Sequence, residues 1–429
     1  MTQPKLQETV LTDVRFDTFD LDPRIARGLA DAGFELCTPI QSETLPLALN
    51  GKDVAGQART GTGKTAAFLL AIFNRLLSPD SKGSGPNPRA IVVAPTRELA
   101  IQIHKDAELL GRHTGLRTLL AYGGVDYAKQ RDQIGAGVDI LIGTPGRLID
   151  YLKQNIYNLK HIEVAVLDEA DRMFDLGFIT DIRFLFRRMP PVDQRLTLMF
   201  SATFPLKVTE LAYEHMNDAQ TVRIAEEQVT TDRVTQVVYY PANHEKLPLL
   251  LHLLKGKQDD HIMVFVNTRH AADRVARTLK ANGIDAAMLA GNVPQTQRQK
   301  LLKRFHDGNL AVLVATDVAA RGLHIPAVSH VFNYDLPQDA ADYVHRIGRT
   351  ARLGATGDAI SFACEDYAFH LPEIEEFIEM PLEVIQHNPD ELPKIEHPPA
   401  RKHKKGAGGR RGGGGQQRSG GGRRRHGGR

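Results

Sequence analysis

The chain has no tryptophan and only two cysteines in 429 residues. Cys37 and Cys364 stand far apart, and neither has metal-ligand spacing around it. That argues against a disulfide framework and against a zinc site, and both read as buried small hydrophobes suited to a reducing compartment. No run of about 18 apolar residues exists, so no membrane-spanning helix is expected. The opening stretch "MTQPKLQETVLTDVRF" has neither the basic start nor the apolar core of a signal peptide, and the expected location is the cytoplasm. Acidic residues are missing from one place. Residues 401–429 hold 11 Lys plus Arg and no Asp or Glu, which leaves 43 basic against 51 acidic side chains in the rest. An acidic body does not hold nucleic acid by bulk charge, so any grip there requires a local groove.

What is present is α/β patterning. The length suggests two domains plus extensions. "RAIVVAPT" (89–96), "VDILIGT" (138–144), "VAVLDEAD" (164–171) and "RLTLMFSAT" (195–203) read as buried parallel strands. Amphipathic segments such as "ELAIQIHKDAELLGRHTG" (98–115) lie between them. The pattern repeats with "HIMVFVNT" (261–268), "AVLVATD" (311–317) and "SHVFNYD" (329–335). Helices are predicted there over 269–283 and 295–308. The polar stretch 225–233 is the predicted linker. Beyond residue 388 the chain turns proline-rich, and then arginine- and glycine-rich. It has too little apolar surface to fold, and disorder is predicted over 389–429.

The sharpest local signal is "ARTGTGKT", residues 58–65, between the strand-like "KDVAGQ" and the helix-like "AAFLLAIFNRLL". A phosphate-binding loop needs small residues so that backbone N–H groups can close on phosphate oxygens. It also needs a lysine for the β- and γ-phosphates and a hydroxyl for Mg²⁺. Gly61, Gly63, Lys64 and Thr65 supply these, with Ala58 where the strict pattern has glycine. Ala58, Arg59, Thr60 and Thr62 complete the loop as candidate nucleotide-binding residues. "VAVLDEAD" sets Asp168, Glu169 and Asp171 just past an apolar strand, where open α/β sheets place their sites. Asp168 can hold Mg²⁺, and Glu169 can orient and deprotonate the attacking water. Together the two motifs say nucleotide hydrolysis.

In these residues and in the order of the motifs around them, the chain resembles a DEAD-box RNA helicase over roughly residues 16–380. The resemblance implies two tandem RecA-like parallel-sheet domains, over 16–224 and 234–388, with a flexible start over 1–15. "GFELCTPIQ" (33–41) resembles the Q motif, with Phe16 upstream, which implies that Gln41 reads the adenine edge and that the cofactor is ATP. "PTREL" (95–99), "GG" (123–124) and "TPGR" (144–147) resemble RNA-backbone contacts. They put Arg97, Gly124, Thr144 and Arg147 at the RNA, with Arg298 of "QTQR" and Thr316 of "ATDVAARG" from the second lobe. "SAT" resembles the motif that couples hydrolysis to strand separation, through Ser201 and Thr203.

"HRIGRTARLG" (345–354) places Arg346, Arg349 and Arg352 at three-residue steps, a spacing that stacks cations on one side of a helix. It resembles the family's last motif, which implies that Arg349 and Arg352 bind the γ-phosphate as arginine fingers; such a finger is worth about 10³–10⁵ in rate. This chain has His324 where many members have Asp, and Ala351 where most have Gly. The contacts named above suit grip on sugar and phosphate and give no route to base sequence. Within the family, the wording of 120–130, 168–191 and 317–337 is similar to the helicases of the bacterial RNA degradosome. That implies RNase E as a scaffold partner, RNA decay as the task, and a monomer outside the complex. The basic tail is expected to raise RNA affinity in a salt-dependent way. An alternative is an ATP-modulated RNA-binding or annealing module dominated by that tail.

Overall fold

The computed structural model describes residues 11–398, apart from 59–60, 82, 84, 225–233, 258–259, 290–292, 294, 321–327 and 351–355. Two seven-stranded sheets organise it. The first contains β1 (Val54–Gln57), β2 (Ala90–Val93), β3 (Thr118–Ala121), β4 (Ile140–Gly143), β5 (Val164–Leu167), β6 (Leu196–Ser201) and β7 (Gln220–Arg223). Its spatial order is β3-β4-β2-β5-β6-β1-β7, and every pairing is parallel. The second contains β8 (Val234–Tyr239), β9 (Ile262–Phe265), β10 (Ala286–Leu289), β11 (Val312–Ala315), β12 (His330–Asn333), β13 (Gly357–Phe362) and β14 (Glu383–Val384). Its order is β10-β11-β9-β12-β13-β8-β14, again all parallel. Adding seven to each strand number of the first sheet produces the second, so the chain builds one topology twice.

The apolar runs are continuous because both faces of each sheet are covered. In the first lobe, Ile91 and Val93 face one buried cluster while Ala90 and Val92 face another, and all four are fully buried. The helices Pro23–Ala32, Pro39–Leu49, Lys64–Leu77 and Arg97–Leu110 cover one face. Helices between Tyr127 and His215 cover the other. Each fully buried aliphatic side chain contributes about 1.5–3 kcal/mol, so short four-residue strands suffice when they sit mid-sheet. Both cysteines are buried and free. Among the described residues no helix is long and apolar enough to cross a membrane.

Two boundaries differ from the sequence expectation. At the start, Thr12 and Val14 exchange backbone hydrogen bonds with Cys37, so the described chain is already anchored before Phe16. At the end, Leu392 and Ile395 pack on the second lobe's core, and Glu396 exchanges hydrogen bonds with Asn282. Two isolated apolar side chains reaching back to an existing core hold this stretch, a signal that composition averages away. The predicted linker over 225–233 and the tail from 399 onward lie outside the described residues.

Candidate functional site

Parallel strands deliver their following loops to one edge, so strand order dictates which motifs meet. β5, β6 and β1 are neighbours and present Asp168–Glu169, Ser201–Thr203 and the phosphate loop. β2, β4 and β3 lie beside them and present residues 95–97, 144–147 and 122–124. The candidate nucleotide residues and the candidate RNA contacts therefore occupy adjoining halves of one edge.

The phosphate loop turns at Gly61 and Gly63, with φ of +92° and +91°, a region that side chains disfavour. A Cβ at Gly63 would also lie 2.5 Å from Gln41 Nε2. That amide donates to the Gly63 carbonyl at 3.0 Å, while Gln41 Oε1 accepts from the Thr38 N–H at 2.8 Å. Gln41 is thereby fixed against the loop at the start of its helix. Lys64 opens the following helix and is 5% exposed. Its ammonium lies 3.8 Å from Asp168 Oδ1, without a hydrogen-bond partner among the described residues. A buried ammonium in that state is costly unless an anion reaches it, and phosphate oxygens are suited to do so.

Asp168 is 2% exposed. Burial pushes its carboxyl up to about 6; Lys64 opposes the shift and Glu169 and Asp171 add to it. Glu169 follows at a φ of +51°, a left-handed turn that costs about 1–3 kcal/mol in a non-glycine residue. The turn aims Glu169 into the cavity that Gly61, Gly63, Lys64 and Thr65 also line. Asp168 and Thr65 fit a magnesium ion, because a buried carboxyl beside two further acids lacks sufficient local positive charge, and a hydroxyl shares its cavity.

Asp171 makes the connection that sequence motifs left unassigned. Its N–H donates to Ser201 Oγ at 3.0 Å, and its Oδ2 accepts from the Ala202 N–H, the Thr203 N–H and the Thr203 hydroxyl at 3.2, 3.0 and 3.2 Å. Ser201 and Thr203 are thus tied to the segment carrying Asp168 and Glu169. The Ser201 carbonyl also accepts from Ala58 N–H at the start of the phosphate loop.

Among the candidate RNA contacts, Arg97 begins the helix Arg97–Leu110, and its guanidinium packs over Gly123, next to Gly124 at a φ of +89°. Thr144 precedes the helix Pro145–Lys153. Arg147 donates to Gln130 Oε1 and Tyr151 Oη and stacks over the rings of Tyr127 and Tyr151. Thr316 follows β11, and its carbonyl accepts from the N–H groups of Ala319 and Ala320. Arg298 makes two contacts within the protein. Its Nε lies 2.8 Å from Glu98 Oε1 of the first lobe, and an Nη donates to the Ala319 carbonyl of the second. Burial pulls its guanidinium below the ordinary value while Glu98 pulls it back.

Arg346 and Arg349 do not share a helix face. The helix ends at Ile347, and Arg349 lies in the turn after it. Arg346 points inward at 1% exposure. It holds both oxygens of Asp317 at 2.7 and 2.6 Å, the Asp335 carbonyl at 2.6 Å and Asn267 Oδ1 at 2.9 Å. Its anion is an aspartate of its own lobe. Helix termination by Gly348 overrode the three-residue spacing. Arg59, Thr60, His324, Ala351 and Arg352 lie outside the described residues.

Phe16 is nearly buried, its ring 6.0 Å from that of Phe34 in an edge-on pair. Phe34 lines the cavity that holds Lys64 and Glu169, together with Gln102 and Asp106. The motif reading missed all three, although Phe34 stands within the quoted 33–41.

Comparison with known proteins agrees with this geometry. Residues 38–211 match the DEAD/DEAH box helicase family model, and residues 245–354 match the helicase conserved C-terminal domain. The chain is 59% identical over 382 residues to the ATP-dependent RNA helicase RhlB of Xanthomonas oryzae pv. oryzae, covering 88% of this chain and 67% of that protein. It is 53% identical over 403 residues to RhlB of Shewanella frigidimarina, covering 93% of each. S. cerevisiae Dbp5 bound to RNA and ADP BeF3 superposes with a TM-score of 0.76 at 32% identity, covering 87% of this chain and 95% of that one. On the family-model match and the identity and coverage of these relatives, the chain belongs to the DEAD/DEAH box helicase family.

Proposed function

We propose that this helicase hydrolyses ATP in an RNA-dependent cycle and opens short stretches of double-stranded RNA, one ATP-driven closure at a time. The observation that carries the reading is the Asp171 link between the hydrolytic segment and Ser201–Thr203. It sits at the centre of an edge whose two halves carry the candidate nucleotide residues and the candidate RNA residues.

The chemistry follows from the side chains. Backbone N–H groups of the loop and the Lys64 ammonium hold the phosphates. Glu169 orients a water and accepts its proton. Mg²⁺, held by Asp168 and Thr65, would neutralise charge on the phosphate oxygens. Arg349 and Arg352 are the candidate fingers from the second lobe, and Gln41 is the candidate reader of adenine. Arg97, Gly124, Thr144, Arg147 and Thr316 hold sugar and phosphate, so binding is largely independent of sequence.

The similarity to RhlB supports a task in RNA degradation, in the cytoplasm, with RNase E as scaffold. A scaffold segment docked on the second lobe would favour the closed arrangement and raise ATPase activity. No change in rate on adding that segment would remove this part of the reading.

The central test is ATPase rate with and without single-stranded RNA on three proteins: the full chain, a chain ending before Arg401, and Glu169→Gln. Strong RNA stimulation that survives truncation and vanishes in Glu169→Gln supports the helicase reading. RNA binding that is lost with the tail, without stimulation, supports the annealing module instead.

A further inference from the structure

Residues 365–396 wrap one edge of the second sheet. The helix Leu371–Phe377 sets Leu371 and Ile374 into the cluster around Tyr343. β14 follows as the outermost strand, beside β8. Ile385, Leu392 and Ile395 then hold the chain on the sheet's opposite face. Phe369, Phe377 and Val384 stay outside, at 70%, 54% and 56% exposure.

The acidic surplus of the body is concentrated in the same stretch. Outside 401–429 the chain carries 43 Lys plus Arg against 51 Asp plus Glu, and residues 365–396 hold ten of those acids and a single base, Lys394. What remains, 42 basic against 41 acidic side chains, is neutral to within one charge. Nine of the ten carboxylates are exposed. Among the described residues, none of the ten pairs with a lysine or arginine. Exposed carboxylates beside exposed rings suit one chemistry above others. A guanidinium forks onto a carboxylate and lies flat on a phenyl face. A polyanion is repelled.

The chain itself carries that chemistry. Glu396 is tied to Asn282, and residues 399–429 continue from there with eight Arg, three Lys and no acid. A glycine-rich chain of that length has a root-mean-square span of about 30 Å, enough to return to the wrap. The tether also keeps the local concentration high, so that individually weak surface pairs accumulate.

We propose that the segment 401–429 docks on this acidic, phenylalanine-bearing face of its own second lobe, and that RNA must draw it off before the segment adds to RNA affinity. The docking itself requires no helicase activity, whereas the competition rests on the reading of the chain as an RNA-binding protein. The same arginines cannot serve carboxylates and phosphates at once, so the face lowers the affinity that the tail would otherwise supply.

Carbodiimide cross-linking of the full chain reads the docking without RNA. The reagent joins an amine to a carboxylate in contact with it. Mass spectrometry should find Lys402, Lys404 or Lys405 linked to residues 365–396, and single-stranded RNA should reduce those links. Affinity for the same RNA is then measured at low and high salt on four proteins. These are the full chain, the full chain with Glu373→Gln, Glu376→Gln, Glu379→Gln and Glu383→Gln combined, and both versions ending before Arg401. Thermal unfolding checks that the glutamine variants fold. The substitutions should tighten RNA binding of the full chain by about 10-fold at low salt, lose that effect at high salt, and change the shortened chain by less than about twofold. Equal tightening with and without the tail means that the acids repel RNA directly, and it overturns the proposal, as does the absence of any cross-link. Links between chains, read from a mixture of isotope-labelled and unlabelled protein, place the segment on a second copy and overturn docking within one chain. A full chain that cross-links as expected but binds no RNA supports the docking and overturns the RNA reading instead.

Discussion

Arg298 and Glu98 belong to different lobes and meet at 2.8 Å, each side chain only 12% exposed. The pair joins the helix that starts at Arg97 to the helix Gln295–His306, and the Ala319 carbonyl anchors the arginine from behind. A guanidinium removed from water in this way holds the lobes in register as much as it serves any ligand.

Breaking the pair is therefore expected to act on closure. Arg298→Ala should lower RNA-stimulated ATPase by about 10-fold or more, because it removes the nearly buried contact between the two lobes. ATP affinity of the first lobe should change little. A charge swap, Glu98→Arg with Arg298→Glu, should restore part of the loss. Absence of any recovery in a double-mutant cycle would show that the two side chains act separately.

Asp171 predicts a separation of functions. Asp171→Asn keeps the shape but loses the full charge that holds the Thr203 N–H and hydroxyl. ATP hydrolysis should persist within several-fold while duplex separation per ATP falls by about 10-fold, the scale of one charge-assisted hydrogen bond. The measurement is unwinding of a short labelled duplex alongside phosphate release on the same sample.

Arg346 and Arg349 should differ in kind. Arg346→Ala leaves Asp317 uncompensated and should destabilise the second lobe by about 3–5 kcal/mol. Arg346→Lys should not rescue it, since an ammonium cannot fork onto two oxygens. Arg349→Ala should instead reduce kcat by about 10³-fold, with a smaller change in unfolding. Thermal denaturation and steady-state kinetics on the three variants distinguish the cases.

Asp106 makes a prediction about pH. Its folded-state carboxyl titrates at about 6, above the usual 3.8. The folded state thus binds this proton more readily than the unfolded chain, and the ionised carboxyl destabilises the fold fully above pH 6. The penalty fades as pH falls toward 4. Asp106→Asn should be the more stable protein at pH 8 without nucleotide, and its advantage should disappear by about pH 4. Equal stability at pH 8 would mean that solvent already relieves the carboxyl.

Much of this molecule can be read from the chain because its chemistry is local. The phosphate loop, the carboxylates after β5 and the "SAT" segment are contiguous words, and parallel strands bring such words to one edge. The buried runs 89–96, 138–144, 164–171 and 195–203 all contain strands. Strands with weaker patterns were less legible. β3 is only partly buried, β7 has exposed positions, and β14 is two residues long at an edge. Pairs that depend on tertiary contact were not legible either. Nothing in 295–298 says that Arg298 reaches Glu98, and a three-residue step of arginines does not reveal that Gly348 ends the helix between two of them. Gln102 and Asp106 look like the polar face of an ordinary amphipathic helix until the cavity beside them is seen.

The helix Arg97–Leu110 has one property that only its length makes clear. At about 1.5 Å per residue, its fourteen residues make one stiff rod about 21 Å long. One end of the rod carries a candidate RNA contact and the interlobe pair, while its flank walls the nucleotide cavity. A rod does not bend to relay a message. If nucleotide shifts or tilts the flank, Arg97 and Glu98 must move with it in the same instant, and communication between the two ligands becomes a matter of leverage.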